Sequence, residues 1–123
     1  MSKARNLVLA ALAATGVTLG VGPALAGSAT PKKRTVKVLD YYFSPAKMTV
    51  PRNTTVVWKW PAGGGDAHDV VLKKGPRGAK KFASEVFLAD ERFPQKLSVP
   101  GTYSIICTLH PDQMKQTIVV SKR

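Results

Sequence analysis

Polar and apolar residues alternate along Thr35-Val36-Lys37-Val38-Leu39, the period of a strand with one buried face. Pro45 and Pro51 bracket a second short strand that contains Met48, read as a core residue, and Val50. The segment TTVVWKW, Thr54 to Trp60, puts Thr54, Val56, Trp58 and Trp60 on one face and Thr55, Val57 and Lys59 on the other. That placement makes the two tryptophans packing residues rather than a stacking platform for nucleic acid. Three glycines in PAGGGD, Pro61 to Asp66, predict a loop, and His68 to Leu72 predicts a strand that opens just after it. Lys73 to Lys81 (KKGPRGAKK) is a basic loop with both breakers, and Ala83 to Leu88 fits a strand or one helical turn. Phe93 to Val99 predicts a strand closed by the turn pair Pro100-Gly101. Thr102 to Cys107 and Thr117 to Val120 are rich enough in β-branched and aromatic residues to be the last two strands. With no helix start, heptad or internal repeat, the pattern predicts an all-β sandwich or barrel.

The first residues follow a different logic. Lys3 and Arg5 precede an uncharged run from Leu7 to Gly22, followed by Pro23 and the small-residue ending Ala24-Leu25-Ala26. A basic start, an apolar middle and an A-x-A ending are the marks of a secretory signal peptide covering 1–26. A membrane anchor is the other reading, but the run is short for a span of ~20 residues. Residues 27–34 (GSATPKKR) are then a flexible basic tail, and 35–123 form a single domain with no transmembrane anchor after cleavage. The expected location is extracytoplasmic: periplasmic, secreted or associated with the cell envelope.

Charge and ligand counts narrow the chemistry. The 123 residues carry 19 Lys+Arg and 7 Asp+Glu, a net charge of +12. Without 1–26, which hold Lys3 and Arg5, 97 residues remain, with 17 basic and 7 acidic groups and a net charge of +10. Outside the cytoplasm, the basic segments Lys32-Lys33-Arg34 and Lys73 to Lys81 suit an acidic protein partner or an anionic envelope, not nucleic acid. One cysteine excludes a disulfide scaffold and multi-cysteine zinc sites, and two histidines exclude a three-histidine zinc site. A single thiol in an oxidising compartment calls for a reason.

The reason lies in one loop. Cys107-Thr108-Leu109-His110-Pro111-Asp112-Gln113-Met114 joins two predicted strands and holds every soft ligand except His68, Met48 and the initiator Met1. Two histidines, one cysteine and a weak axial methionine form the ligand set of a blue-copper electron-transfer site. A thiolate stabilises copper, imidazoles suit both oxidation states, and a thioether at longer range tunes the potential. Leu109 and Pro111 surround His110 with a small apolar patch.

On these residues the chain resembles the cupredoxins, in particular the plastocyanin and amicyanin group of small blue-copper proteins. The likeness runs from about Val36 to Val120 and includes Phe43-Ser44-Pro45, Val56-Val57-Trp58, the isolated His68, and Gly101-Thr102-Tyr103 leading into Cys107. It implies a Greek-key β-sandwich of about eight strands that passes single electrons between larger redox partners. It also implies one type 1 copper ion, with His68, Cys107 and His110 as strong ligands, Met114 as axial ligand, and electrons crossing at the exposed edge of His110. Three features depart from the pattern. The Cys-x2-His-x3-Met spacing lies between the amicyanin-like and plastocyanin-like loops. Asp69 replaces the usual asparagine that ties the ligand loops, and Gln116 replaces a glycine common soon after the methionine.

The leading expectation is a monomeric electron carrier, not an enzyme, exchanging electrons with donor and acceptor proteins that have acidic docking surfaces. The alternatives are a copper-sequestering protein without a redox circuit and a metal-free cupredoxin-like interaction domain. Zinc on Cys107, His68, His110 and Asp112 would leave Met114 without a role. A copper oxidase or nitrite reductase needs more histidines than two.

Overall fold

Val36, Val38, Val56, Trp58 and Trp60 are all buried, so the alternating stripes seen along the chain do face one core. The computed structural model describes residues 32–123, and the expected signal peptide at 1–26 lies outside them. Eight strands follow in order: β1 Lys33–Leu39, β2 Tyr42–Ser44, β3 Lys47–Pro51, β4 Thr54–Trp60, β5 Val71–Lys74, β6 Glu91–Leu97, β7 Gly101–Ile106 and β8 Lys115–Ser121. No helix occurs among the described residues, and none of them forms a helix long and apolar enough to cross a membrane.

The strands form two four-stranded sheets, ordered β2-β1-β4-β6 and β3-β8-β7-β5. Each sheet is mixed: β1 runs parallel to β4 and β3 parallel to β8, while the other pairs are antiparallel. The chain crosses repeatedly between the two layers, the signature of a Greek-key sandwich. Trp58 and Trp60, 0% and 1% exposed, fill the space between the layers. Burying side chains of that size contributes on the order of 4–6 kcal/mol each, before ordering entropy is subtracted. Trp58 also bridges the sheets with a polar contact: its Nε1–H donates to Gln116 Oε1 at 2.8 Å, and Gln116 Nε2–H donates to Pro45 O at 2.8 Å. Gln116 therefore sits within β8 as a buried strut rather than shaping a turn. Tyr103 makes a tyrosine corner, its hydroxyl donating to Val99 O at 2.7 Å across the Pro100-Gly101 turn. Glycine is required at Gly101: its φ is +138°, and a Cβ there would stand 2.6 Å from Pro76 Cβ.

Several boundaries shift from the sequence expectation. Lys33 and Arg34, assigned to the basic tail from the sequence, belong to β1 and pair with Thr55 and Val56. The three-residue β2 carries too little alternation to register as a strand in the sequence. Pro94 sits within β6, which is tolerated because β6 is the edge of its sheet and needs no second ladder. Met48 is half-buried and packs against the core from its rim. Residues 68–70 do not join β5; His68 makes only an isolated bridge to Phe87, and Ser84 Oγ, not a strand, accepts the Val70 N–H at 2.9 Å. The ambiguous segment Ala83 to Leu88 is extended and lies along this stretch, with Ala83 bridging Val71.

Candidate metal centre

The loop between β7 and β8 closes on itself. Cys107 N–H donates to Met114 O at 3.1 Å, and Met114 N–H to His110 O at 2.9 Å, while His110 N–H returns to Cys107 O at 3.1 Å. These bonds turn an eight-residue loop into a tight cap that begins and ends in the core, where Cys107 and Met114 are both fully buried. His68 arrives from the other side. Its backbone is held in both directions by Phe87, at 3.1 and 3.0 Å, and its carbonyl accepts Trp60 Nε1–H at 3.2 Å.

The result brings three of the four expected side chains together through atoms of the right kind. His68 Nδ1 lies 3.8 Å and His110 Nδ1 3.7 Å from Cys107 Sγ, and all three donor atoms lie within 4.8 Å of one another. A first-row ion bonded to nitrogen at about 2.0 Å and sulfur at about 2.3 Å would separate them by about 3.5 Å at a tetrahedral angle and about 3.7 Å at a trigonal one. The two nitrogen–sulfur distances suit trigonal angles at such an ion, and the donor set of one thiolate and two imidazoles fits copper. Burial isolates the site: Cys107 is 0% and His68 2% exposed, while the His110 side chain keeps 20% of its surface in solvent. Leu109 beside it is exposed.

Asp69 ties the two ligand segments. Its carboxylate accepts the Thr108 N–H at 2.7 Å through Oδ1 and the Thr108 hydroxyl through Oδ2. The aspartate thus makes the inter-loop link as an acceptor of two donors.

A second layer was not singled out by the sequence. Asp40 Oδ1 lies 2.8 Å from His68 Nε2, and Asp66 Oδ2 stands 3.9 Å from His110 Nε2. The hydrogen bond from His68, and after it that from Asp66 N–H, hold the Asp40 carboxyl below the usual carboxylate range. Tyr41 lies edge-on to both imidazoles, its centroid 5.0 Å from that of His110 and 6.1 Å from that of His68. Its hydroxyl donates to Asp66 Oδ2 at 2.6 Å, and that carboxylate partner pushes the phenol above its ordinary value. Asp40 and Tyr41 form the β1–β2 turn, far from His68 in sequence, and no local pattern links them to it.

The copper-binding family of plastocyanin and azurin matches residues 32–121. The chain belongs to that family. Copper is accordingly its cofactor class. Among curated proteins, amicyanin-alpha of Methylorubrum extorquens is 32% identical over 111 residues, covering 90% of this chain and 86% of the relative. Among solved structures, a pseudoazurin from Sinorhizobium meliloti superposes with a TM-score of 0.62 at 27% identity, over 74% of this chain and 75% of the other. A copper-containing nitrite reductase from Thermus scotoductus gives 0.62 at 28% identity; the match covers 87% of this chain but 28% of that one. The likeness to the reductase is therefore to one cupredoxin-sized part of a longer protein.

Proposed function

We propose that this protein is an extracytoplasmic type 1 copper protein that carries single electrons between redox partners. In this reading His68 Nδ1, Cys107 Sγ and His110 Nδ1 are the strong ligands and the sulfur of Met114 is the axial one. The observation that supports it most is the convergence of the two Nδ1 atoms on one buried thiol at 3.7 and 3.8 Å. Copper bound there supplies a one-electron couple between Cu(II) and Cu(I).

The chain supplies everything else. Two sheets and the closed loop hold the ligands in one arrangement, which keeps reorganisation small when the charge changes. Burial of Cys107 and His68 keeps water from the inner side of the site. His110, with exposed Leu109 next to it, offers a short path to a partner surface. The donor loses one electron and the acceptor gains one, with no bond made or broken, so the protein is a carrier and not an enzyme. The net charge of +10 on residues 27–123 suits donor and acceptor proteins with acidic docking faces, and an anionic envelope as a second contact. Lys3, Arg5, the Leu7 to Gly22 run and Ala24-Leu25-Ala26 support export and cleavage after Ala26.

The test is Cu(II) titration of residues 27–123 followed by visible spectroscopy. An intense thiolate-to-copper charge-transfer band, absent from Cys107→Ser, is expected. A pale complex or no binding overturns the carrier reading. A blue site that exchanges no electrons with redox proteins would mark a copper-sequestering protein instead.

A further inference from the structure

We propose that Asp40 is a positioning residue that fixes His68 in its ligating tautomer and lowers the reduction potential of the copper site; the second half rests on the carrier reading above. The His68 side chain is 3% exposed, with Nδ1 facing Cys107 Sγ and Nε2 facing Asp40 Oδ1 at 2.8 Å. A carboxylate can only accept, so the ring proton resides on Nε2 and the Nδ1 lone pair is left free for a metal.

The carboxylate is held in place by three features of the surrounding backbone. Asp66 N–H donates to the same Asp40 oxygen at 2.9 Å. Gly65, with φ of +155°, leaves the space the carboxylate occupies; a Cβ there would come within 2.8 and 2.9 Å of the two Asp40 oxygens. The turn that presents Asp40 puts Tyr41 at φ 71°, a left-handed backbone that disfavours a non-glycine residue by roughly 1–2 kcal/mol. Tyr41 is anchored in turn by its bond to Asp66. Glycine, strained turn and backbone donor together make a receptor for one carboxylate behind one histidine.

Outer partners of this kind orient a ligating imidazole and raise its basicity. A full negative charge at that position also favours the more highly charged Cu(II) over Cu(I). Half of the Asp40 side chain is in solvent, which moderates the effect without removing it.

Two variants separate charge from geometry. Asp40→Asn keeps an acceptor oxygen for both donors and removes the charge. In the copper-loaded protein it should retain the blue band while shifting the equilibrium toward Cu(I) by about three- to tenfold, about 30–60 mV for a one-electron couple. In the metal-free protein, long-range proton–nitrogen correlation spectra should show His68 protonated on Nε2, and Asp40→Ala should give a mixture of tautomers. A potential unchanged in Asp40→Asn, or His68 protonated on Nδ1 in the metal-free wild type, overturns the proposal. Should the wild type form no blue site, the carrier reading falls on its own, and the tautomer spectra still decide the role of Asp40.

Discussion

Asp69 and Thr108, 39 residues apart, are joined by two hydrogen bonds from Thr108 to one carboxylate, and that link locks the His68 segment to the Cys107–His110 loop. Asp69 is 6% exposed whereas Thr108 is exposed, so removing the carboxylate breaks both bonds and leaves the Thr108 N–H and hydroxyl to water. Asp69→Ala should lower stability by about 1.5–3 kcal/mol and weaken copper binding about 10–100-fold. Asp69→Asn, which still offers one carbonyl oxygen, should lose much less. Urea unfolding and competition with a copper chelator measure both; equal effects for the two variants would show that the link does not depend on acceptor geometry.

Gln116 replaces a residue with no side chain at all in the pattern this family suggests, and the structure uses the extra atoms. Its amide accepts from Trp58 and donates to Pro45 O. Gln116→Leu should destabilise the fold by about 1–3 kcal/mol, because it strands the Trp58 N–H in the interior and removes the donor to the more exposed Pro45 O. The blue spectrum should survive at low temperature. Loss of the spectrum with unchanged stability would assign Gln116 to the site instead.

Tyr103 predicts an alkaline limit. Burial pushes its phenol above the ordinary value. The unfolded chain releases the proton near pH 10, whereas the folded chain holds it to higher pH. This contribution to stability is complete below pH 10 and is lost as pH rises through the folded value. Tyr103→Phe should remove that part of the decline and lower stability at neutral pH by about 1 kcal/mol, since Val99 O loses its donor. Thermal melts between pH 8 and 11 give both quantities; identical slopes for the two proteins would contradict the assignment.

Met114 is wholly buried in the same cluster as Cys107. Met114→Leu keeps volume and dryness while removing the sulfur donor, which leaves Cu(II) less well stabilised. The blue colour should persist and the couple should shift toward Cu(I), on the order of tenfold or about 59 mV. An unchanged potential would remove Met114 from the ligand set.

Association with acidic redox partners should be salt-dependent. The +10 charge of residues 27–123 should speed encounter at low ionic strength and lose its effect as the screening length falls below about 10 Å, near 0.1 M salt. Stopped-flow electron exchange across a salt series checks this, and a flat profile would assign the lysines another task.

The sequence alone determined the class of fold and the candidate ligands. Strands show as a period of two wherever one face is buried, as in Thr54 to Trp60, and the Cys-x2-His-x3-Met loop is contiguous, so its chemistry is legible without coordinates. Where backbone donors are satisfied by side chains or isolated bridges, the period fails: His68 to Val70 read as a strand but is held by Phe87 and Ser84. Only the tertiary structure decided what surrounds the ligands. Asp40 reaches His68 across 28 positions, Tyr41 reaches Asp66 across 25 and Gln116 reaches Trp58 across 58. Contacts at such separations have no sequence period, because they arise from which loops the two sheets bring to the same end.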